Sequence, residues 1–326
     1  MTSLNIPPTF LQDPPPNATI HPLDFTKTTP PIPAYKNHFA AVIDNFLTPT
    51  ECTQLLQLAG ESAHPPTTAT TTTDNPSSSS SLEPTWQRAL VNAGSGTQVL
   101  SSTRKSSRYI LDSPEIASRL LTRLKPFLSS FGLTRIEKQP LITGLGPAKR
   151  GEVFVLAGLN ERMRFLRYDG GDYFRPHWDG CYIRDGDGEG GRKGERSLLT
   201  VHLYLNGEGE QDWKLLGPEV ARGEDGMVDL RGVADGDGDG DGKKSVDESG
   251  TGREHETLLG GATSFGDDYR MRDSVRVFPK TGSLLVFQQR NLMHSGDDVF
   301  RGVKYTVRTD VMYALEKREG DGSEEG

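Results

Sequence analysis

The chain has 326 residues, enough for one large domain or two smaller ones. Its hydrophobic fraction is 33%, with 37 glycines and 21 prolines, so an ordinary core diluted by polar insertions is expected. Its two cysteines, Cys52 and Cys181, exclude a disulfide-built scaffold and fit a reducing compartment. The net charge of −8 sits in two stretches: 208–256 carries 15 acidic and 6 basic residues, and 316–326 carries 5 and 2. The remainder stands at +4, too weakly basic to argue for a nucleic-acid partner.

Residues 1–36 are rich in Pro and Thr and read as a disordered arm. No apolar core with a basic flank appears there, so no secretory signal is expected. No stretch is long and apolar enough to span a membrane, and a cytoplasmic or nuclear protein is the expectation. His38–Phe46 reads as a strand. A helix then starts with Thr48 as N-cap, Pro49 at the first helical position and Glu51 completing a capping box. Leu55, Leu56 and Leu58 give it an apolar side. Residues 64–82, with Pro, Thr and a run of five Ser, form a low-complexity loop. A second helix starts at Ser113-Pro114-Glu115, with Ile116, Leu120, Leu121 and Leu124 at helical spacing. Together these helices form a brace over 47–130.

From about 140 the pattern changes to short strands separated by turns: Arg162–Tyr168, Ser197–Asn206, Thr263–Phe265, Gly282–Gln288 and Val303–Tyr313. No βαβ alternation occurs, which excludes a parallel α/β sheet. The expected fold is mainly β with supporting α-helices, a sandwich or jelly roll over 140–315 within one domain of 37–315. Segment 207–257 is a flexible insertion with an Asp-Gly repeat, and 316–326 is an acidic tail. Asp237, Asp239, Asp241, Gly242 and Glu248 match a calcium-loop spacing. Lys244 stands where an apolar residue belongs and no amphipathic helix flanks the run, so no calcium is expected. The run GDGEGG at 186–191 lacks the strand–helix setting of a dinucleotide site and reads as a loop.

Two distant stretches carry the chemistry. One is Tyr168–Asp179, ending in Phe-Arg-Pro-His-Trp-Asp; the other is His294–Lys304. They supply two imidazoles, one carboxylate and a following cation. Two His and one carboxylate on one face of a metal, with open positions opposite, are how non-haem Fe(II) oxygenases hold iron. On a strand His177 and Asp179 point the same way while Trp178 turns away, and His294 comes from another strand end. His202 is the competing imidazole; as a neighbour of the site it suits a packing or outer-partner role. His21, His38, His64 and His255 read as ordinary histidines.

The segments HFAAVIDNFLTPTEC, RYDGGDYFRPHWD, LTVHLYLN, GGATSF, VFPKTGSLLVFQ and MHSGDDVFRGVKYTVRTDVMY follow one another over most of 38–313. In this order the chain resembles the prolyl 4-hydroxylase type of 2-oxoglutarate- and Fe(II)-dependent dioxygenases. The resemblance implies a double-stranded β-helix, the jelly-roll core, with Fe(II) held by His177, Asp179 and His294. It implies that Lys304 pairs with the distal carboxylate of 2-oxoglutarate. Arg308 shares that strand face and is the alternative anchor, with bidentate geometry in its favour. Tyr204 matches a tyrosine that contacts 2-oxoglutarate, and Tyr168 an aromatic residue lining the same pocket. The activity implied is hydroxylation of a C–H bond, foremost in a prolyl or other peptidyl side chain. It would consume O2, release succinate and CO2, and use ascorbate as a candidate reductant. Asp179, where a small residue would leave room for halide, favours hydroxylation over halogenation. Arg162 and Arg164 share parity with Tyr168; they stand either at the pocket mouth facing substrate or in a structural ion pair. Ala262 departs from the acidic residue common in that family, and the 207–257 insertion is unusually long. Two other readings stay open: a small-molecule hydroxylase with the same iron core, and a catalytically silent binding module. The expected partner is a peptide, protein or small-molecule substrate, with no membrane.

Overall fold

The computed structural model describes residues 5–15, 17–63, 86–92, 98–184, 194–211 and 257–316. In chain order the elements that frame the site are β1 (Thr19–Pro22), β2 (Ala40–Asp44), α1 (Pro49–Ala63), β3 (Ser107–Asp112), α2 (Pro114–Ser130), β4 (Val153–Leu159), β5 (Arg162–Tyr168), β6 (Tyr173–His177), β7 (Arg196–Tyr204), β8 (Thr263–Gly266), β9 (Ser274–Val277), β10 (Leu284–Gln288), β11 (His294–Gly296) and β12 (Lys304–Leu315). All their pairings are antiparallel. The larger sheet runs β1-β2-β10-β7-β12-β5-β3, with β4 on the far half of β12; the smaller runs β9-β8-β11-β6. The eight strands β5 to β12 divide four and four between these sheets, as β10-β7-β12-β5 and β9-β8-β11-β6. That wiring is a double-stranded β-helix with helices supporting a mainly β fold.

Period-two alternation divides the apolar residues between two cores. On β10, Leu284 and Val286 face outward into a cluster with Leu55, Leu120 and Leu124 of the helices, while Leu285 and Phe287 face inward with Phe265. On β7, Leu199, Val201 and Leu203 join the helical side, and Thr200, His202 and Tyr204 point to the interior. The helix starts follow the capping chemistry. Thr48 N–H donates to Glu51 Oε2 at 2.9 Å and Glu51 N–H to Thr48 Oγ1 at 3.2 Å, while Ser113 Oγ accepts from Ile116 N–H at 3.3 Å. Glu51 also ties α1 to α2 through an ion pair with the buried Arg123, 2.6 Å from Nη2.

The segment expected as a disordered arm is instead built into the fold where it is described. β1 adds to the edge of β2, and Phe10, Leu11, Phe25 and Ile32 are each at most 2% exposed. Their burial overrides the Pro/Thr composition, because a few large apolar anchors on an existing core suffice to order an otherwise polar segment. The 64–82 loop, GDGEGG, the calcium-like Asp237–Glu248 run and the histidines His64 and His255 lie outside the described residues. The ends of the long insertion are described and adjoin: Gly260 N–H donates to Gln211 Oε1 at 2.7 Å. No described helix is long and apolar enough to cross a membrane.

Candidate metal centre

The register of β6 and β11 sets His177 directly opposite His294, with ring centroids 4.4 Å apart. Each Nδ1 faces a backbone carbonyl two residues earlier, at 2.8 Å from Arg175 O for His177 and 3.2 Å from Leu292 O for His294. Protonated Nδ1 satisfies both contacts and leaves each Nε2 with a free lone pair. Those lone pairs meet Asp179: Oδ1 lies 3.9 Å from His177 Nε2, and Oδ2 lies 3.6 Å from His294 Nε2. The three ligand atoms all fall within 4.8 Å of one another. Burial, reinforced by His294, pushes His177 down to about 3, and burial also lowers His294. Burial alone would raise Asp179, but Arg308 and the two imidazoles outweigh it and hold the carboxyl well below the usual range. Two neutral imidazoles and one carboxylate are therefore ready without proton loss, a donor set that fits a divalent transition metal.

Asp179 does not reach this point by strand parity, because β6 ends at His177. Hydrogen bonds from a distant strand place it instead. Thr200 Oγ1 donates to Asp179 Oδ2 at 2.7 Å, and Gln289 Nε2 donates to Thr200 Oγ1 at 3.2 Å and to Asp310 Oδ1 at 3.0 Å. Ser197 Oγ in turn donates to Gln289 Oε1 at 2.8 Å. Arg308 Nη2 bridges Asp179 Oδ1 at 3.0 Å and Asp310 Oδ1 at 3.2 Å. Arg164 Nη1 holds the other oxygen of Asp310 at 3.2 Å. Of the arginine pair on β5, Arg164 lines the cavity and is neutralised there, while Arg162 pairs with Asp112 on the exposed surface. Trp178, between the two ligands, is 49% exposed.

His202 stands near the group of three but outside it. Its ring is 6.4 Å from that of His294 and packs edge-on against Phe287 at 5.5 Å. Burial drives its pKa well below the usual value, so it too is neutral. Phe174 stacks on His177 at 3.6 Å between centroids and restrains that ring.

Lys304 opens β12 opposite Tyr168 and is 3% exposed. Its ammonium donates to Gly261 O at 2.7 Å and lies 5.2 and 5.6 Å from the ring centroids of Tyr168 and Tyr204. No carboxylate among the described residues pairs with it. Burial pushes it down to about 8, opposed only by the field of Asp297. Tyr204 spends its hydroxyl on Thr263 Oγ1 at 2.7 Å. The two glycines of GGATSF have structural reasons at this point. A Cβ on Gly260, at φ +84, would fall 2.4 Å from Asp298 O, and one on Gly261 would fall 3.1 Å from the Lys304 stem.

The cavity joining these parts is lined by His177, Asp179, His294, Lys304, Arg308 and Tyr168, among others. Sequence reasoning finds the three ligand candidates, both cations and both tyrosines but misses Thr200, Gln289, Asp310 and Arg104. Arg104 is 8% exposed and lies over the Phe174 ring at 4.5 Å. Thr200 alone left a trace, since it shares parity with His202 and Tyr204.

No protein-family model and no curated protein matches the sequence. Among solved structures, the chain is similar to a collagen prolyl hydroxylase of Paramecium bursaria Chlorella virus-1, at 16% identity over 84% of this chain and 96% of that one, with a TM-score of 0.37. It is similar to a Trichoplax adhaerens prolyl hydroxylase solved with a hypoxia inducible factor peptide, at 14% identity over 69% and 70%, TM-score 0.34. It is also similar to OsALKBH1, at 10% identity over 85% and 98%, TM-score 0.38.

Proposed function

We propose that this protein is a 2-oxoglutarate- and Fe(II)-dependent dioxygenase that hydroxylates a C–H bond, foremost in a prolyl or other peptidyl side chain. The observation that carries the reading is the pairing of two features in one cavity. Two Nε2 atoms and one ionised carboxylate converge within 4.8 Å, and a buried ammonium without an acid partner among the described residues lies in the same space. His177, Asp179 and His294 would hold the metal on one side. When bound, Fe(II) would supply dioxygen activation coupled to oxidative decarboxylation of 2-oxoglutarate.

The chain's own contribution is geometry and charge. The carbonyls of Arg175 and Leu292 orient the imidazoles, and Thr200 and Arg308 fix the carboxylate. Lys304 would take the distal carboxylate of 2-oxoglutarate between Tyr168 and Tyr204, replacing a single backbone acceptor by a full countercharge. Arg308 serves less well as that anchor, because Asp179 and Asp310 already occupy it. Leu166 and Phe174 in the cavity lining would help keep water from the reacting centre.

The test is anaerobic titration of the protein with Fe(II) and 2-oxoglutarate, following the visible metal-to-oxoglutarate charge-transfer band. The band should form with wild type and vanish in His177→Ala. A folded, metal-loaded wild type that gives no band would overturn the dioxygenase reading in favour of a silent binding module.

A further inference from the structure

A groove of about 460 Å³ lies between the start of β7 and the segment just after β10, with Asp179 in its lining. Asp179 lines this groove as well as the cavity of the two histidines, so whatever lies in the groove lies beside one candidate metal ligand. Its walls mix apolar and cationic groups: Ile183, Leu198 and Trp178 on one hand, Arg196 and Arg290 on the other. Trp178 sits in the chain between His177 and Asp179 and meets Tyr269 edge-on at 5.5 Å; the two are 49% and 60% exposed.

The charges are unevenly satisfied. Arginines around the groove are committed: Arg164 to Asp310, Arg184 to Glu161 and Glu195, Arg308 to Asp179 and Asp310. Arg196 and Arg290 pair with no acid among the described residues. Arg196 rests its guanidinium 5.3 Å from the Phe154 ring centroid, and its Nε is buried without a hydrogen-bond partner. The guanidinium of Arg290 lies close to Gly144, where a Cβ would come 3.1 Å from Cζ. Two guanidinium groups that pair with no carboxylate among the described residues thus line one cleft, whose other surfaces suit apolar side chains.

We propose that this groove is the substrate cleft and selects a peptide with an acidic residue next to the side chain to be hydroxylated, Arg196 and Arg290 taking its carboxylate. The proposal rests on the dioxygenase reading above and adds the substrate's chemistry to it. A nucleic-acid strand fits less well. A polyanion asks for a continuous basic stripe, and the neighbouring arginines here are already neutralised by acids, leaving charge for one short anionic group.

The test reads binding directly, by intrinsic tryptophan fluorescence and calorimetry, on the full chain without metal or 2-oxoglutarate. The probes are short synthetic peptides with a central proline and acidic, neutral or basic flanks, and a single-stranded oligonucleotide. Acidic peptides should bind wild type about tenfold more tightly than neutral ones, as for a partly desolvated charge pair. Arg196→Gln should remove most of that preference. The exposed Arg290→Glu, which spares the core, should turn it toward basic peptides by about threefold, the size of a rim ion pair. Equal binding of all three peptide classes, an oligonucleotide bound as tightly as the acidic peptide, or an unchanged preference in both variants would overturn the proposal. Selectivity for acidic peptides in a protein that gives no charge-transfer band would instead sink the enzyme reading and leave a peptide-binding groove.

Discussion

Two cations of one strand face the same cavity in opposite electrostatic states. Lys304 and Arg308 lie four residues apart on β12, both pointing inward. Arg308 is saturated: Asp179 and Asp310 outweigh the effect of its burial and raise its pKa. Lys304 is starved: buried, with one carbonyl acceptor and two aromatic faces, and its pKa is depressed to about 8. Residue type alone does not decide which cation can take an anionic cosubstrate. A guanidinium is the better carboxylate fork in isolation, but a fork already holding two carboxylates has little left to offer.

The contrast breaks most visibly when each cation is removed. Arg308→Met leaves Asp179 and Asp310 without their common countercharge. It should lower unfolding stability by about 2 to 4 kcal/mol in denaturant titrations, less than a fully buried pair because the side chain is one-fifth exposed. Lys304→Met removes a desolvated ammonium with no partner acid, so the same titrations near neutral pH should show no loss, or a gain. The second variant should nonetheless weaken 2-oxoglutarate binding by about a hundredfold, the cost of leaving an anion unpaired in a buried site. If Arg308→Met spares stability and abolishes 2-oxoglutarate binding, the roles of the two cations are reversed.

The same contrast predicts opposite pH slopes. Lys304 has a folded value of about 8 against an ordinary 10.5. Between those limits the unfolded chain holds the proton and the folded chain does not, so this group's contribution to stability rises with pH across that window. Binding of 2-oxoglutarate needs the ammonium, so its affinity should fall by about tenfold per unit above pH 8. Lys304→Met should flatten both slopes. A wild-type affinity that stays level from pH 8 to 10 would show that Lys304 is not the anchor.

What could be read before folding, and what could not, follows from the range of the interactions. The capping box at Thr48 and Glu51, the Ser113 cap and the inward face of β12 are local patterns, and the chain obeys them. His177, Asp179 and His294 were legible as a candidate set because few chemistries use that combination, and the fold brings the three together. The arm was misread because composition averages over Phe10, Leu11, Phe25 and Ile32, which bury individually. The placement of Asp179 was misattributed to strand parity. The support comes from Thr200, 21 residues later, and through it from Gln289, 89 residues further on. Strand parity put Lys304 and Arg308 on one face but could not say which would meet the acids of other strands.

That long-range support also has the smallest expected effect. Gln289 touches neither imidazole; it hydrogen-bonds Ser197, Thr200 and Asp310 and so orders the groups that order Asp179. Gln289→Leu keeps the bulk of the side chain but removes the link between Thr200 and Asp310, leaving Arg308 free to draw Asp179 toward itself. Metal affinity should fall by about tenfold, the lower range for partners that orient a ligand from outside, with the metal-to-oxoglutarate band broadened or shifted. A merely structural role would lower stability and leave both the band and the metal affinity unchanged. The comparison variant is Gln289→Glu. It keeps an acceptor for Ser197, loses the donor to Thr200 and adds a charge beside Asp310, so it should weaken metal binding further than Leu does. If Glu binds metal as well as Gln, Asp179 is held by Arg308 alone and the hydrogen-bond chain through β7 is packing.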